Sequence, residues 1–265
     1  MRMRGELLTI IQNDPNVPVG FWGDQILALG LEYRLVRLFS GEAINDQMLE
    51  SGGVIVLGGT MGVHDTDEFP YLLQLKEFIR GCLSRKVPLL GICLGGQLVA
   101  EVLGAAIHSG RHRECGTFLV DISPAAADDS LFAGITTPFT TFQWHNDSFD
   151  LPKGATMLAS SKVCPCQAFR YGNAWGLQFH PEINVEIVTQ WCNAESKEEH
   201  ASDNNLRIIN ELENNLEEYT KSSVQMFHNF AENLFQPLPL TTINLQANGP
   251  KESTSENELE NRSKA

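Results

Sequence analysis

Cys93 ends an apolar run, Val87 to Ile92, that is rich enough to be a buried strand, and it is followed at once by a helix-compatible run, Leu94 to Leu103. A side chain on such a strand–elbow–helix projects clear of the sheet, with the N–H groups of the helix start beside it. A cysteine placed there can act as a nucleophile: the positive end of the helix favours its thiolate, and the Leu94 N–H can donate to an oxyanion on an attacked carbonyl. Taken alone, Cys93 reads equally well as a small apolar residue in a glycine-rich crossover. A second stretch, Gly176-Leu177-Gln178-Phe179-His180-Pro181-Glu182, reads as another strand ended by Pro181, with His180 and Glu182 two positions apart. On extended chain both side chains leave the same face. Cys93, His180 and Glu182 thus supply nucleophile, base and orienter, the three roles of a thiol-based acyl transfer.

Gly91-Ile92-Cys93-Leu94-Gly95-Gly96-Gln97 and Phe179-His180-Pro181-Glu182 together resemble the class I (triad) glutamine amidotransferases, whose pattern is Gly-x-Cys-x-Gly-x-Gln followed by His-x-Glu. The resemblance runs from about Leu7 to Cys192, and it extends to stand-alone members similar to the amidotransferase domain of GMP synthase. It implies amide hydrolysis through a cysteine thioester: Cys93 attacks the side-chain carboxamide of glutamine, His180 relays the proton to the leaving ammonia, and Glu182 holds the imidazole. It also implies that Leu57-Gly58-Gly59-Thr60-Met61-Gly62 is the oxyanion loop. Gly59 and Leu94 would then form the oxyanion hole, with Gly58 and Gln97 toward the substrate. The segment Phe142 to Ser148 would recognise the α-amino and α-carboxylate groups through Trp144, Asn146 and Asp147. No cofactor and no metal are implied.

Composition sets the outer limits. At 265 residues and 42% hydrophobic content, the chain can bury one sizeable core with an appendage. A net charge of −14 argues against nucleic acid or an anionic membrane as partner. Leu7 to Ile11 is too short for a signal sequence, and nothing approaches a membrane span, so a cytoplasmic protein is expected. The six cysteines lack paired zinc spacing, which fits a reducing compartment. Cys164-Pro165-Cys166 reads as a strained disulfide or half a metal site, or as neither. Arg111-His112-Arg113-Glu114-Cys115-Gly116 is a basic knot in an acidic chain; it reads first as a solvated surface turn, and second as a contact for an acidic acceptor or substrate tail.

The elements that must position these residues alternate. Strands are expected at Leu7–Ile11, Tyr33–Phe39, Gly53–Leu57 and Val87–Ile92, with helices at Asp24–Gly30, Glu68–Lys86 and Leu94–Leu103. Such alternation predicts a doubly wound, mostly parallel sheet of flavodoxin-like type with its site at the carboxyl ends of the strands. Beyond Gly104, short strands at Thr117–Ile122, Phe139–Trp144, Thr156–Ala159, Ala168–Tyr171 and Ala174–Phe179 predict a small antiparallel extension that returns His180 to Cys93. A covering helix is expected over Glu182–Cys192. From Glu195 to Ala265 there are thirteen Asp/Glu against six Lys/Arg, half of the net charge. The chain therefore divides into a catalytic domain (1–194), an amphipathic helical appendage (195–235) and a polar, disordered tail (236–265).

A stand-alone glutaminase needs glutamine as its small-molecule partner and a separate synthetase subunit to take the ammonia, with the Ser202–Phe235 helix as the docking element. Two alternatives remain on sequence alone: a γ-glutamyl peptidase or hydrolase with no synthetase, and a catalytically silent regulatory module on the same fold. Oligomeric state cannot be read.

Overall fold

A computed structural model of the chain describes residues 7–195 and 201–234. Four strands, β1 (Leu8–Gln12), β2 (Tyr33–Arg37), β3 (Gly53–Val56) and β4 (Leu89–Ile92), alternate with the helices α1 (Trp22–Ala28), α2 (Tyr71–Ser84) and α3 (Leu94–Val102). Then come β5 (Ile107–Ile122), β6 (Phe139–Phe149), β7 (Thr156–Ser160), β8 (Ala168–Tyr171) and β9 (Ala174–Leu177), followed by α4 (Val185–Glu195), α5 (Ala201–Asn214) and α6 (Leu216–Leu234). The strands form one mixed sheet in the order β2-β1-β3-β4-β9-β8-β7-β5-β6. The first five in that order run parallel and the rest pair antiparallel, so the expected α/β architecture is present.

The parallel half explains its own composition. β1, β3 and β4 are buried along their whole length because helices cover both faces, which is why they read as unbroken apolar runs. Leu72, Leu75, Phe78, Ile79 and Cys82 of α2 recur at helical spacing and face one side of the sheet together with Leu94, Leu98 and Val99 of α3. Trp22 and Ile26 of α1 face the other side, and there α6 joins them with Met226, Phe227, Phe230 and Leu234. The rings of Trp22 and Phe227 lie 5.2 Å apart. The apolar face of α6 is therefore taken up within the chain, not left for the docking surface expected of it.

The antiparallel half is larger than expected. β5 begins at Ile107, not Thr117, and β6 runs on to Phe149. Their outer segment is open to solvent, so Ser109 to Arg113 need no apolar alternation, and an irregularity at Gly110 (φ +69°) absorbs Arg111 to Arg113. α4 starts at Val185, three residues late, because Pro181 interrupts the chain and the Asn184 carboxamide accepts the Ile187 N–H. The long amphipathic segment is two helices that break at Asn215. Phe235 and the 236–265 tail lie outside the described residues. Among the described residues no helix is long and apolar enough to cross a membrane.

Candidate active site

Cys93 occupies the turn between β4 and α3 with φ +50° and ψ −109°, a conformation a non-glycine residue adopts only when its surroundings hold it there. The Cys93 N–H donates to the Leu177 carbonyl at 2.8 Å, and the first helical bond runs from the Gln97 N–H to the Cys93 carbonyl at 2.9 Å. The Leu94 and Gly95 amides thus precede the helical ladder at the helix start. Two glycines let α3 come this close to the sheet: a Cβ on Gly95 would lie 2.0 Å from the Val56 carbonyl oxygen, and one on Gly96 2.4 Å from that of Leu177. The thiol is 6% exposed, with Gln178 Nε2 at 3.7 Å and the Trp144 carbonyl at 4.0 Å.

The chain brings His180 and Glu182 to this thiol. His180 leaves β9 and hangs on β6 through its N–H, which donates to the Phe142 carbonyl at 2.8 Å. Its Nδ1 lies 2.8 Å from Glu182 Oε1, and the His180 ring and Cys93 line the same cleft, close enough for the sulfur to act on the charge of the ring. His180 is 2% exposed and Glu182 fully buried. Burial pulls the imidazole toward neutrality, but the Glu182 carboxylate and the Cys93 sulfur outweigh it and hold the pKa up, to about 10. These two neighbours thus favour the protonated form of the ring. The other carboxylate oxygen, Glu182 Oε2, is buried and has no hydrogen-bond partner among the described residues.

Around the thiol lies a cleft of about 410 Å³, lined by Gly59, Gln97, Trp144, Asn146, Asp147 and Trp191 among others. Its size suits a small molecule. Gly58 is not in the lining. It spaces the two chemical groups: a Cβ there would lie 3.1 Å from His180 Cε1 and 3.6 Å from Cys93 Cβ. Gly59 lines the cleft beside Thr60, whose N–H and Oγ1 reach Asp14 Oδ2 at 3.2 and 2.6 Å. Asn13 and Tyr71 brace the same turn, through Asn13 Nδ2 to the Leu57 carbonyl and the Tyr71 hydroxyl to the Asn13 carbonyl.

Gln97 turns its amide nitrogen to the Asp147 carbonyl at 3.1 Å and to Gln178 Oε1 at 3.4 Å, so it braces the Asp147 end of β6 while lining the cleft. The same stretch is held by His145, whose Nδ1 lies 3.1 Å from the Asp147 carbonyl and whose Nε2 lies 3.2 Å from Glu114 Oε2. Glu114 also accepts from Ser161 Oγ and Gln167 Nε2. Asn146 and Asp147 are left facing the cleft, and the Asn146 amide donates to Ser109 Oγ at 3.2 Å.

Several residues here escaped sequence reading. Gln178 stands two positions before His180 on the same strand face, and that period-two spacing was a usable signal. Asp14 sits at the carboxyl end of β1, where the strand-end rule points. Glu114 is hidden in a basic knot, and Trp191 lies on the covering helix with its ring 5.2 Å from His180 and 5.6 Å from Trp144. No sequence signal marks these last two. Cys164 and Cys166 are free and buried, and burial pushes both thiols up to about 12. Among the described residues no group of side chains could hold a metal ion.

Comparison with known proteins follows this geometry. The family model for glutamine amidotransferase class I matches residues 23–189. The glutamine amidotransferase-like protein YfeJ of Salmonella typhimurium is 36% identical over 156 residues, a match covering 57% of this chain and 65% of YfeJ. A GMP synthase from Thermomicrobium roseum is 36% identical over 136 residues, covering 51% of this chain and only 24% of that enzyme. The chain thus spans less than two thirds of either relative. A crystal structure of a glutamine amidotransferase from Thermotoga maritima superposes with a TM-score of 0.78 at 28% identity, covering 85% of this chain and 98% of that one. The elbow, the sheet that carries it and these matches agree: the chain belongs to the class I glutamine amidotransferase family.

Proposed function

We propose that the protein hydrolyses the γ-amide of glutamine through a thioester on Cys93. The Cys93 sulfur attacks the carboxamide carbon, and its proton passes to His180 Nε2, the ring nitrogen that Glu182 leaves free. The N–H groups of Gly59 and Leu94 receive the developing oxyanion. His180 then protonates the departing nitrogen, which leaves as ammonia. Water, deprotonated by the same imidazole, attacks the thioester; the thiol is restored and glutamate released. Glu182 fixes the tautomer and balances the imidazolium charge. Asp147 pairs the substrate ammonium, with Asn146, Trp144, Gln97 and the Gly59–Gly62 turn completing the enclosure. The observation that carries this reading is the His180–Glu182 pair at 2.8 Å, with His180 and Cys93 lining one cleft.

Ammonia must go somewhere, and a relative from Thermoplasma acidophilum, 30% identical over 134 residues, is named as one subunit of a glutamine-hydrolysing GMP synthase. A separate synthetase chain is the corresponding partner here. The second reading, hydrolysis of γ-glutamyl compounds with a larger amine, is favoured by one feature. The wall beside the thiol is built of Trp144, Trp191, Val17 and Met61, more apolar surface than ammonia requires. The test is ammonia release from glutamine beside amine release from a panel of γ-glutamyl amides, with intact-mass detection of a γ-glutamyl adduct. An adduct lost in Cys93→Ala is expected. No adduct with any compound would favour a silent regulatory module.

A further inference from the structure

We propose that the C-terminal helix α6 is part of the catalytic apparatus as a clamp, with Tyr219 and Ser223 as positioning residues that set His180 and Glu182 through the main-chain carbonyls of residues 180–183. The proposal rests on the amide-hydrolysis reading above. Its starting point is Pro181, which has no N–H to give a sheet and directly follows His180, whose own N–H makes the bond to β6. Buried carbonyls leaving a sheet need partners, and here each of the four finds one from outside the sheet. The Tyr219 hydroxyl lies 3.1 Å from the His180 carbonyl and 3.0 Å from that of Ile183, so it bridges the two ends of the segment. Ser223 Oγ donates to the Pro181 carbonyl and accepts from Trp22 Nε1 at 3.0 Å. The Phe21 N–H, just before α1, donates to the Glu182 carbonyl at 3.1 Å.

Two further observations make this more than filling of polar valences. Among the described residues Glu182 has a single side-chain partner, His180, and its second oxygen has none, so the carboxylate is aimed by its own backbone and not by a surrounding network. Burial, with the Glu182 charge nearby, holds the Tyr219 phenol well above its ordinary value, so it stays a donor throughout the working pH range. Tyr219 is itself buried, in the cluster with Phe142, Ile183 and Val188 that supports the same segment. The family match ends at residue 189, so the clamp lies outside the portion of chain by which the family is recognised.

The test measures Cys93 alkylation by iodoacetamide against pH, alongside glutamine hydrolysis and thermal melting, on the full chain. Tyr219→Phe keeps the ring and removes only the hydroxyl. It should lower kcat about 10- to 100-fold with little change in KM, because a displaced base costs turnover and not binding. It should also shift the alkylation profile in the direction His180→Ala does, while the protein still melts cooperatively. Ser223→Ala should do the same to a smaller degree, and it decides the matter if Tyr219→Phe does not fold. His180→Ala is the reference: if it leaves alkylation of Cys93 unchanged, the amide-hydrolysis reading fails whatever the clamp does. If His180→Ala alters the profile and folded Tyr219→Phe and Ser223→Ala match the unsubstituted protein, the clamp is overturned and the reading stands.

Discussion

Cys93 and His180 meet in one cleft but are put there by opposite means. Cys93 is placed locally: its strand, its turn and its helix are consecutive, and the bonds that fix it run to neighbouring backbone in the same layer. His180 is placed by assembly, on a segment hung from β6, capped by α6 and by the residue before α1, and faced by Trp191 of α4. The difference teaches that the proposed nucleophile can be read from a dozen residues, whereas its proposed proton acceptor depends on chain contributed from residue 21 to residue 223.

The comparison can be broken most decisively at the sulfur. Cys93→Ala should abolish amide hydrolysis by at least about 10³-fold while leaving the melting transition nearly unchanged, since the turn is set by backbone. Unchanged turnover would remove Cys93 from the chemistry. Next comes Glu182→Gln, expected to lower kcat about 10²- to 10⁴-fold in steady-state assays. The sign of its pH effect follows from the raised imidazole pKa. In the unsubstituted protein, stability from the imidazolium is complete below the free value near ~6.5 and is lost as pH rises toward about 10. Without the carboxylate that loss should move to lower pH, as a denaturant titration at several pH values would register.

A smaller effect sharpens the assembled side. Glu114→Ala strips His145, Gln167 and Ser161 of their shared acceptor and should cost about 3 kcal/mol in urea unfolding, with KM rising as the Asp147 turn loosens. A loss near zero would mean that the buried pair does not hold the turn. Smallest is Thr60→Val, which deletes one hydroxyl donor to Asp14 and should cost about 1 kcal/mol, with kcat down by less than about tenfold. A larger drop in kcat would make the hydroxyl itself part of the oxyanion machinery.

The same asymmetry explains what could be read in advance. The parallel strands were legible because burial on both faces forces unbroken apolar runs, and Val87 to Ile92 is the clearest of them. The start of β5 was not, since Ser109 to Arg113 form part of an outer segment whose polar residues also suit a turn. Glu114 could not be recognised as buried while standing beside Arg113, and its pairing with His145 is a contact between residues 31 positions apart. His180 and Glu182 were legible from their spacing, but the bonds to the carbonyls of 180–183 fall on atoms every residue possesses. Composition carries no trace of them. What sequence did register was the amphipathic face of α6, though not which surface it would cover.

Trp191 has a practical consequence. Of the four tryptophans, two border the cleft, and the indole of Trp191 meets the His180 ring edge-on while its Nε1–H is tied to the Asn16 carbonyl at 2.6 Å. An indole held so close to a titrating imidazole should change its emission whenever that ring gains or loses charge or a ligand enters beside it. The molecule therefore carries a built-in fluorophore through which entry of a ligand into the cleft, and the acylation proposed for Cys93, can be followed in real time.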